Sequence, residues 1–265
     1  GRQIMKSVAI IGGGLGGIAS AIRFKSRGYE VSLYERLDEL GGRAQKFSKD
    51  GYIHDAGPTV ITAPYLFKEL FTLLNENIDN YVTFKPLDPW YRIYFNDGTG
   101  FDYGPNRKGM LEQIDQISPK DVDGYLRMLK RAEEIFELGY EKLASEPFTR
   151  ILKMVRYGPD IIRLGGYKSV YSFVSKYLEH PNLRQAFSIQ PLLVGGNPFT
   201  TSSIYALIHA LEQKWGISFV MGGTNHLVKE LKNLMQRNGI NIHYQYDVDE
   251  FITNKNSVQS IKFLN

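Results

Sequence analysis

Three glycines and one carboxylate near the start of the chain have the types and spacing to hold a dinucleotide. Gly12, Gly14 and Gly17 fill the fixed places of a G-x-G-x-x-G turn. The first allows the sharp reversal, the second lets backbone touch a pyrophosphate, and the third lets helix and strand pack closely. Glu35 follows about 20 residues later, where a carboxylate can take ribose hydroxyls and would disfavour a 2′-phosphate, so NADP is disfavoured. Beyond it come Gly41, Gly42 and Arg43, two residues that permit close backbone approach and a forked cation suited to a diphosphate.

These residues need a strand, a turn, a helix and a second strand to position them. Ser7-Val8-Ala9-Ile10-Ile11 is a short apolar, β-branched run of the kind that makes a buried parallel strand. Over residues 17–27 Ile18, Ala21, Ile22 and Phe24 recur at helical spacing, so the free N–H groups of the helix start would point at phosphates. Gly28 closes that helix, and Glu30-Val31-Ser32-Leu33-Tyr34 reads as the second strand, with Glu35 at its end.

Composition bounds the rest. The 265 residues carry a net charge of +4 and no cysteine, which excludes disulfides and thiolate chemistry and makes a reducing cytoplasm the simplest home. The five histidines show no metal-ligand spacing, so no metal is expected. No apolar run approaches the roughly 20 residues that span a bilayer, and the N-terminus has no signal-peptide core. The cations are not interleaved in a nucleic-acid recognition motif, so no nucleic acid partner is expected. Between Thr149 and Lys176 six cations mix with aliphatic and tyrosine side chains, with Asp160 the only acid. That composition suits an anionic membrane surface, or equally an amphipathic helix pair with a solvated basic side.

The middle of the chain reads as an inserted unit. Residues 81–85, 91–95 and 100–103 are short aromatic strands, the last two joined by an Asn96-Asp97-Gly98 turn. Helical spacing runs over residues 108–143 with a stop at Ser118-Pro119, and further helices are expected across 152–212. The aromatics Phe136, Tyr140, Phe148, Tyr171, Phe173, Tyr177 and Phe187 are expected in the core, or together along an apolar tunnel. After Trp215-Gly216 a helix over 225–238, closed by Gly239, and strands over 240–244, 247–251 and 258–263 return to the nucleotide unit. The expected division is 1–75 and 215–265 for the nucleotide unit, with 76–214 between them.

Longer strings carry a family resemblance over essentially the whole chain. Leu40-Gly41-Gly42-Arg43 resembles the second fingerprint of the flavin amine oxidase and carotenoid desaturase superfamily. Asp55-Ala56-Gly57-Pro58-Thr59-Val60-Ile61-Thr62, Asp121-Val122-Asp123-Gly124-Tyr125, Leu183-Arg184-Gln185-Ala186-Phe187-Ser188 and Leu192-Leu193-Val194-Gly195-Gly196-Asn197-Pro198-Phe199 resemble the bacterial-type phytoene desaturases. The last string runs on through Thr201-Ser202-Ser203-Ile204-Tyr205 to Ile208-His209-Ala210-Leu211-Glu212. The resemblance implies an α/β fold: a Rossmann-like FAD-binding domain of the glutathione reductase type, with an inserted α+β substrate or membrane domain. It implies FAD as cofactor, held by Gly12, Gly14, Leu15, Gly16, Gly17, Glu35, Arg36, Gly42, Arg43, Gly57, Pro58, Thr59 and Val60, with backbone near Val248 at the adenine. It also tips the basic stretch toward a membrane, because an acyclic C40 carotene has negligible solubility in water. A cytoplasmic, peripheral membrane enzyme is the resulting expectation.

The reaction implied is desaturation, in which an allylic hydride leaves for the flavin and a proton leaves the neighbouring carbon, with quinone or oxygen as final acceptor. Delocalisation would stabilise an allylic cation, so a strong protein base is not obligatory, and no catalytic residue is assigned. Glu146, Arg156 and Asp160 read better as surface charge. The C30 diapophytoene or another carotene, a flavin-dependent isomerisation and an inactive fragment are the alternatives. Family members are close to twice this length, and their C-terminal glycine-rich flavin motif is absent, so the chain is expected to be a truncated, N-terminal part. Gly1-Arg2-Gln3-Ile4 precede Met5, which looks like a natural start.

Overall fold

Alternation of β-branched residues with a helix-forming stretch dictates a parallel pairing, since two such strands joined through a helix cannot form a tight hairpin. In the computed structural model, which describes residues 6–142, 158–159, 162–163 and 165–264, Ser7–Ile11 pairs in parallel with Glu30–Tyr34. Glu30–Tyr34 in turn pairs in parallel with Asn241–His243, giving a three-stranded sheet with the second strand in the middle. The helix Leu15–Ser26 buries Ile18, Ala21 and Ile22, and the returning helix Thr224–Arg237 buries Leu227, Val228, Leu231, Leu234 and Met235. Val31 and Leu33, which are fully buried, share one core cluster with the apolar residues of both helices. Burying each such aliphatic side chain contributes about 1.5–3 kcal/mol.

The first strand departs from the expectation of burial. Ser7, Ala9 and Ile11 are exposed and Val8 and Ile10 half-buried. It has one neighbour in the sheet, and Ile10 packs on the core at its edge. An apolar run does not say whether its strand is central or lateral.

The chain divides into two compact units, Gly1–Pro86 with Ser218–Asn265, and Leu87–Ile217. The boundary falls after Pro86 and not after residue 75, because Phe84–Pro86 pairs antiparallel with Ser218–Val220 inside the first unit. The strand expected over 81–85 therefore begins three residues later. Just before it, Ile78–Asn80 form a 3-10 turn capped by Asn77, whose side chain accepts the Asp79 N–H at 3.0 Å. Two hairpins, Lys46–Lys49 with Tyr52–Asp55 and Val248–Asn254 with Ser257–Phe263, complete the described strands of this unit.

In the second unit Tyr91–Tyr94 and Gly100–Tyr103 form the expected hairpin, with Asp97 accepting from the Thr99 N–H at 2.9 Å and Gly98 at φ +80°. The helices Arg107–Ile117 and Asp121–Phe136 flank the predicted stop. Phe136, Phe173 and Phe187 are buried as expected, while Tyr140, Tyr171 and Tyr177 are only half-buried. Phe148 lies outside the described residues. One string of the resemblance explains itself as a clamp on the turn before the helix Pro181–Ala186. The Asp121 carboxylate accepts the N–H groups of Glu179 and His180 at 2.7 and 2.9 Å, and a Cβ on Gly124 would stand 2.0 Å from the Tyr177 carbonyl oxygen. Helix and turn touch there backbone to backbone.

A buried polar chain crosses this unit. The Tyr103 hydroxyl donates to Glu212 Oε2 at 2.6 Å and lies 3.1 Å from His209 Nδ1, while His209 Nε2 donates to the Phe187 carbonyl at 3.0 Å. Burial pushes the Glu212 carboxyl up to about 7, against hydrogen bonds from Tyr103 and Gln190, and pushes His209 down to about 4, against its bond to Phe187. Both groups thus favour their neutral forms in the fold.

Two outcomes follow. Gly124→Ala forces helix and turn apart and should cost about 1–3 kcal/mol in urea unfolding. The pH dependence has two opposed parts. The Glu212 contribution is complete below its ordinary value of 4.5 and is lost as pH rises through about 7. The His209 contribution is complete above 6.5 and is lost as pH falls through about 4. His209→Gln should therefore give a protein whose stability falls as pH rises from 4.5 to 7, and Glu212→Gln one whose stability rises from pH 4 to 6.5. Identical urea midpoints against pH in both variants would contradict the assignment.

Candidate dinucleotide site

The three glycines of the first turn are required for three different reasons. Gly12 adopts φ +95°, a conformation L side chains rarely take, and its N–H donates to the Tyr34 carbonyl at 2.8 Å. Gly17 sits so close to the turn that a Cβ would stand 1.8 Å from the Gly12 carbonyl oxygen. Gly14 faces open space, where a Cβ would meet only the Gly42 Cα at 3.9 Å. The packing of the fold does not by itself require its lack of a side chain. Gly16 has neither constraint, since its φ is not positive and nothing lies within 4 Å of its would-be Cβ.

Glu35 anchors the turn. It is 6% exposed; its Oε2 accepts the Gly13 N–H at 2.7 Å and its Oε1 the Leu37 N–H at 2.9 Å. A carboxylate offers about four acceptor positions, so lone pairs remain for a hydroxyl donor. The helix beginning at Leu15 has no side-chain cap and no acidic residue in its first turn. Its first N–H groups and the positive end of its dipole are therefore available to an anion.

The second glycine segment docks on the first, and the third on the second. The Gly41 N–H donates to the Gly13 carbonyl at 2.8 Å, and a Cβ on Gly42 would stand 3.2 Å from the Gly14 Cα. Gly57 packs on Arg43, with a would-be Cβ 2.0 Å from the Arg43 carbonyl oxygen. The Thr224 hydroxyl then donates to the Pro58 carbonyl at 2.6 Å, tying the segment that carries Thr59 and Val60 to the start of the returning helix.

A cavity of 460 Å³ opens at the carboxyl ends of the parallel strands, where open α/β sheets bind ligands. Gly12, Glu35, Arg36, Gly42, Arg43 and Val248 line it, so six predicted residues from three parts of the chain share one wall. Leu15, Gly16, Gly17, Gly57, Pro58, Thr59 and Val60 do not line it, nor does Gly14, which adjoins it through Gly42. Tyr34, Tyr246 and Asp247 line it as well and were not anticipated. Tyr34 stacks on His243 with ring centroids 4.6 Å apart, and the Tyr246 N–H donates to the Glu35 carbonyl at 3.0 Å. Their signal in sequence is position: both follow or end a parallel strand, and the register sets Tyr34 against His243. This arrangement fits a dinucleotide, with an unobstructed glycine backbone and a helix start for phosphates, two arginines for their charge and an anchored carboxylate for ribose. Among the described residues no cluster of three side chains could hold a metal ion, and no helix is long and apolar enough to cross a membrane.

Residues 15–261 match the family model described as flavin containing amine oxidoreductase. The chain belongs to that family. Membership gives the cofactor as FAD. Among curated relatives, the lycopene-forming phytoene desaturase of Pseudescherichia vulneris is 43% identical over 258 residues, covering 97% of this chain and 52% of that protein. The corresponding protein of Pantoea ananas is 42% identical over 257 residues, with the same coverage of 97% and 52%. A 4,4′-diaponeurosporene oxygenase of Staphylococcus aureus is 32% identical over 263 residues, covering 97% of this chain and 52% of the oxygenase. The chain thus spans about half the length of these relatives. Solved structures confirm the fold: an oxidoreductase from Methanosarcina mazei superposes with TM-score 0.65 at 17% identity, covering 98% of this chain and 56% of that one. Putrescine oxidase bound to putrescine gives 0.60 at 16%, covering 95% and 53%.

Neighbouring glycines differ in how tightly they are packed. Gly17→Ala should lower the thermal midpoint by an amount equivalent to about 1–3 kcal/mol, through its clash with Gly12, whereas Gly16→Ala should be neutral or slightly stabilising. Equal midpoints for the two variants would contradict this packing.

Proposed function

We propose that this chain is the FAD-binding and substrate-facing part of a carotenoid desaturase that converts an acyclic C40 carotene, phytoene, towards lycopene. The observation that carries the reading is identity above 40% with two lycopene-forming desaturases, extending over 97% of the chain and hence over both units. The N–H groups at Leu15, Gly16 and Gly17, together with Arg43, are assigned to the diphosphate, and Gly14 and Gly42 to its close approach. Glu35 is assigned to the adenosine ribose, Arg36 and Val248 to the rim around the adenine, and Gly57, Pro58, Thr59 and Val60 to the strip that continues along the cofactor. Bound FAD supplies a two-electron acceptor for a hydride from an allylic carbon. The protein's part is to bind, orient and keep water away. No side chain is assigned as acid or base, and Glu146, Arg156 and Asp160 lie outside the described residues. Quinone or oxygen is the proposed final acceptor, and a membrane surface the proposed source of so insoluble a substrate.

The similarity to a 4,4′-diaponeurosporene oxygenase favours a C30 carotenoid as the second reading. Titration of the chain with FAD, followed by flavin fluorescence, should give saturable quenching. Gly14→Val should abolish it, and Glu35→Gln should weaken it by about 1.5–3 kcal/mol, the worth of a hydrogen bond to a charged group. In liposomes loaded with phytoene or diapophytoene and supplied with FAD and a quinone, visible absorption should grow with phytoene. Faster growth with diapophytoene would favour the second reading, and flavin binding with neither carotene converted would contradict both.

A further inference from the structure

Resting on the FAD reading above, we infer that the Asp247 carboxylate reads the adenine of the cofactor, accepting a hydrogen bond from its 6-amino group and so selecting that base. Among the described residues two acids line the 460 Å³ cavity, and one of them, Glu35, is already engaged with the glycine turn. The other is Asp247. With the phosphates at the glycines and Arg43, and a ribose at Glu35, the lining that remains for the base includes Tyr34, Arg36, Leu37, Tyr246, Asp247 and Val248.

The segment that carries Asp247 is pinned on both sides. The Gln245 N–H donates to the Leu37 carbonyl at 3.0 Å, the Tyr246 N–H to the Glu35 carbonyl at 3.0 Å, and the Leu264 N–H to the Asp247 carbonyl at 2.9 Å. Residue 247 is thereby tied through backbone to the strand end that bears the ribose anchor. Three rings brace Tyr246, with centroids 5.5 Å away at Tyr34, 5.5 Å at His243 and 5.1 Å at Phe263. What this held segment leaves idle is a carboxylate. Among the described residues the Asp247 side chain accepts no hydrogen bond and forms no ion pair, although Arg36 and Arg43 line the same cavity. Two residues on, by contrast, Asp249 pairs with Lys262 at 2.8 Å.

Base chemistry decides what that carboxylate can bind. Tyr34 and Tyr246 offer aromatic contact to any base, since every base has a π-face, so stacking does not select. An ionised carboxylate only accepts hydrogen bonds. Adenine and cytosine present an amino donor, whereas guanine and thymine present a carbonyl oxygen that a carboxylate repels. FAD carries adenine, and Asp247 supplies the one kind of group that rewards its amine and rejects a carbonyl in its place.

Isothermal titration calorimetry of the 265-residue chain tests this, with FAD and with the FAD analogue whose adenine amino group is replaced by hydrogen. The chain should bind FAD about tenfold more tightly than the analogue, the effect of one hydrogen bond to a charged group. Asp247→Ala should bring the two ligands to equal affinity, whereas a merely structural role would weaken both alike and keep their ratio. Asp249→Ala, outside the cavity lining, should preserve the tenfold preference. Equal affinity of the unaltered chain for the two ligands, or a preference that survives in Asp247→Ala, would overturn the assignment and leave FAD binding standing. No saturable heat with FAD on the unaltered chain would overturn the FAD reading, and the assignment with it.

Discussion

The bidentate grip of Glu35 on two backbone N–H groups is the interaction on which the nucleotide unit turns. One oxygen holds Gly13 within the first glycine turn and the other holds Leu37 beyond the second strand. The strand end and the turn are thereby fixed against each other, and the helix start at Leu15 is aimed from that joint. A carboxylate in this place is nearly buried, which would be costly without partners. Its position beside the positive end of a helix reduces that cost further. The same group that builds the turn is left with spare acceptor capacity toward the cavity.

Everything else in the site is close packing onto that joint. Gly42 lies on Gly14, Gly57 on the Arg43 carbonyl, and Thr224 binds the Pro58 carbonyl. Side chains at these glycines would separate backbones that now touch, so the glycine-rich strings are as much about contact between segments as about the ligand. In the second unit the same device recurs where Gly124 meets Tyr177, with Asp121 satisfying the turn that Gly124 approaches. In the unit's interior polar chain through Tyr103, His209 and Glu212, burial raises the carboxyl to about 7 and lowers the imidazole to about 4. That polar chain is a structural network within the core, and the flavin chemistry proposed for the protein does not draw on it.

Much of this was legible in the sequence because the relevant constraints are local. The spacing of Gly12, Gly14 and Gly17 and the position of Glu35 follow from one strand-turn-helix-strand unit, and the hairpin at Asn96-Asp97-Gly98 follows from turn chemistry. What escaped was non-local. Tyr246 and Asp247 reach the cavity only because Asn241–His243 pairs beside Glu30–Tyr34, a register that no spacing near Glu35 reveals. The exposure of the first strand depends on its lateral place in the sheet. The residues 81–85 carry a strand-like aromatic pattern, yet Asn77 caps a turn that delays the strand to Phe84, and its partner lies beyond the entire second unit.

On the reading proposed, three separated stretches of the first unit form one FAD-binding wall around Glu35. Amide hydrogen exchange of the chain, measured with and without FAD, would reveal such a wall. Slowed exchange at residues 12–17, 35–43 and 246–248 together, with the hairpin at 91–103 unchanged, is the predicted result. Protection confined to one of those stretches, or spread evenly over both units, would contradict the shared wall.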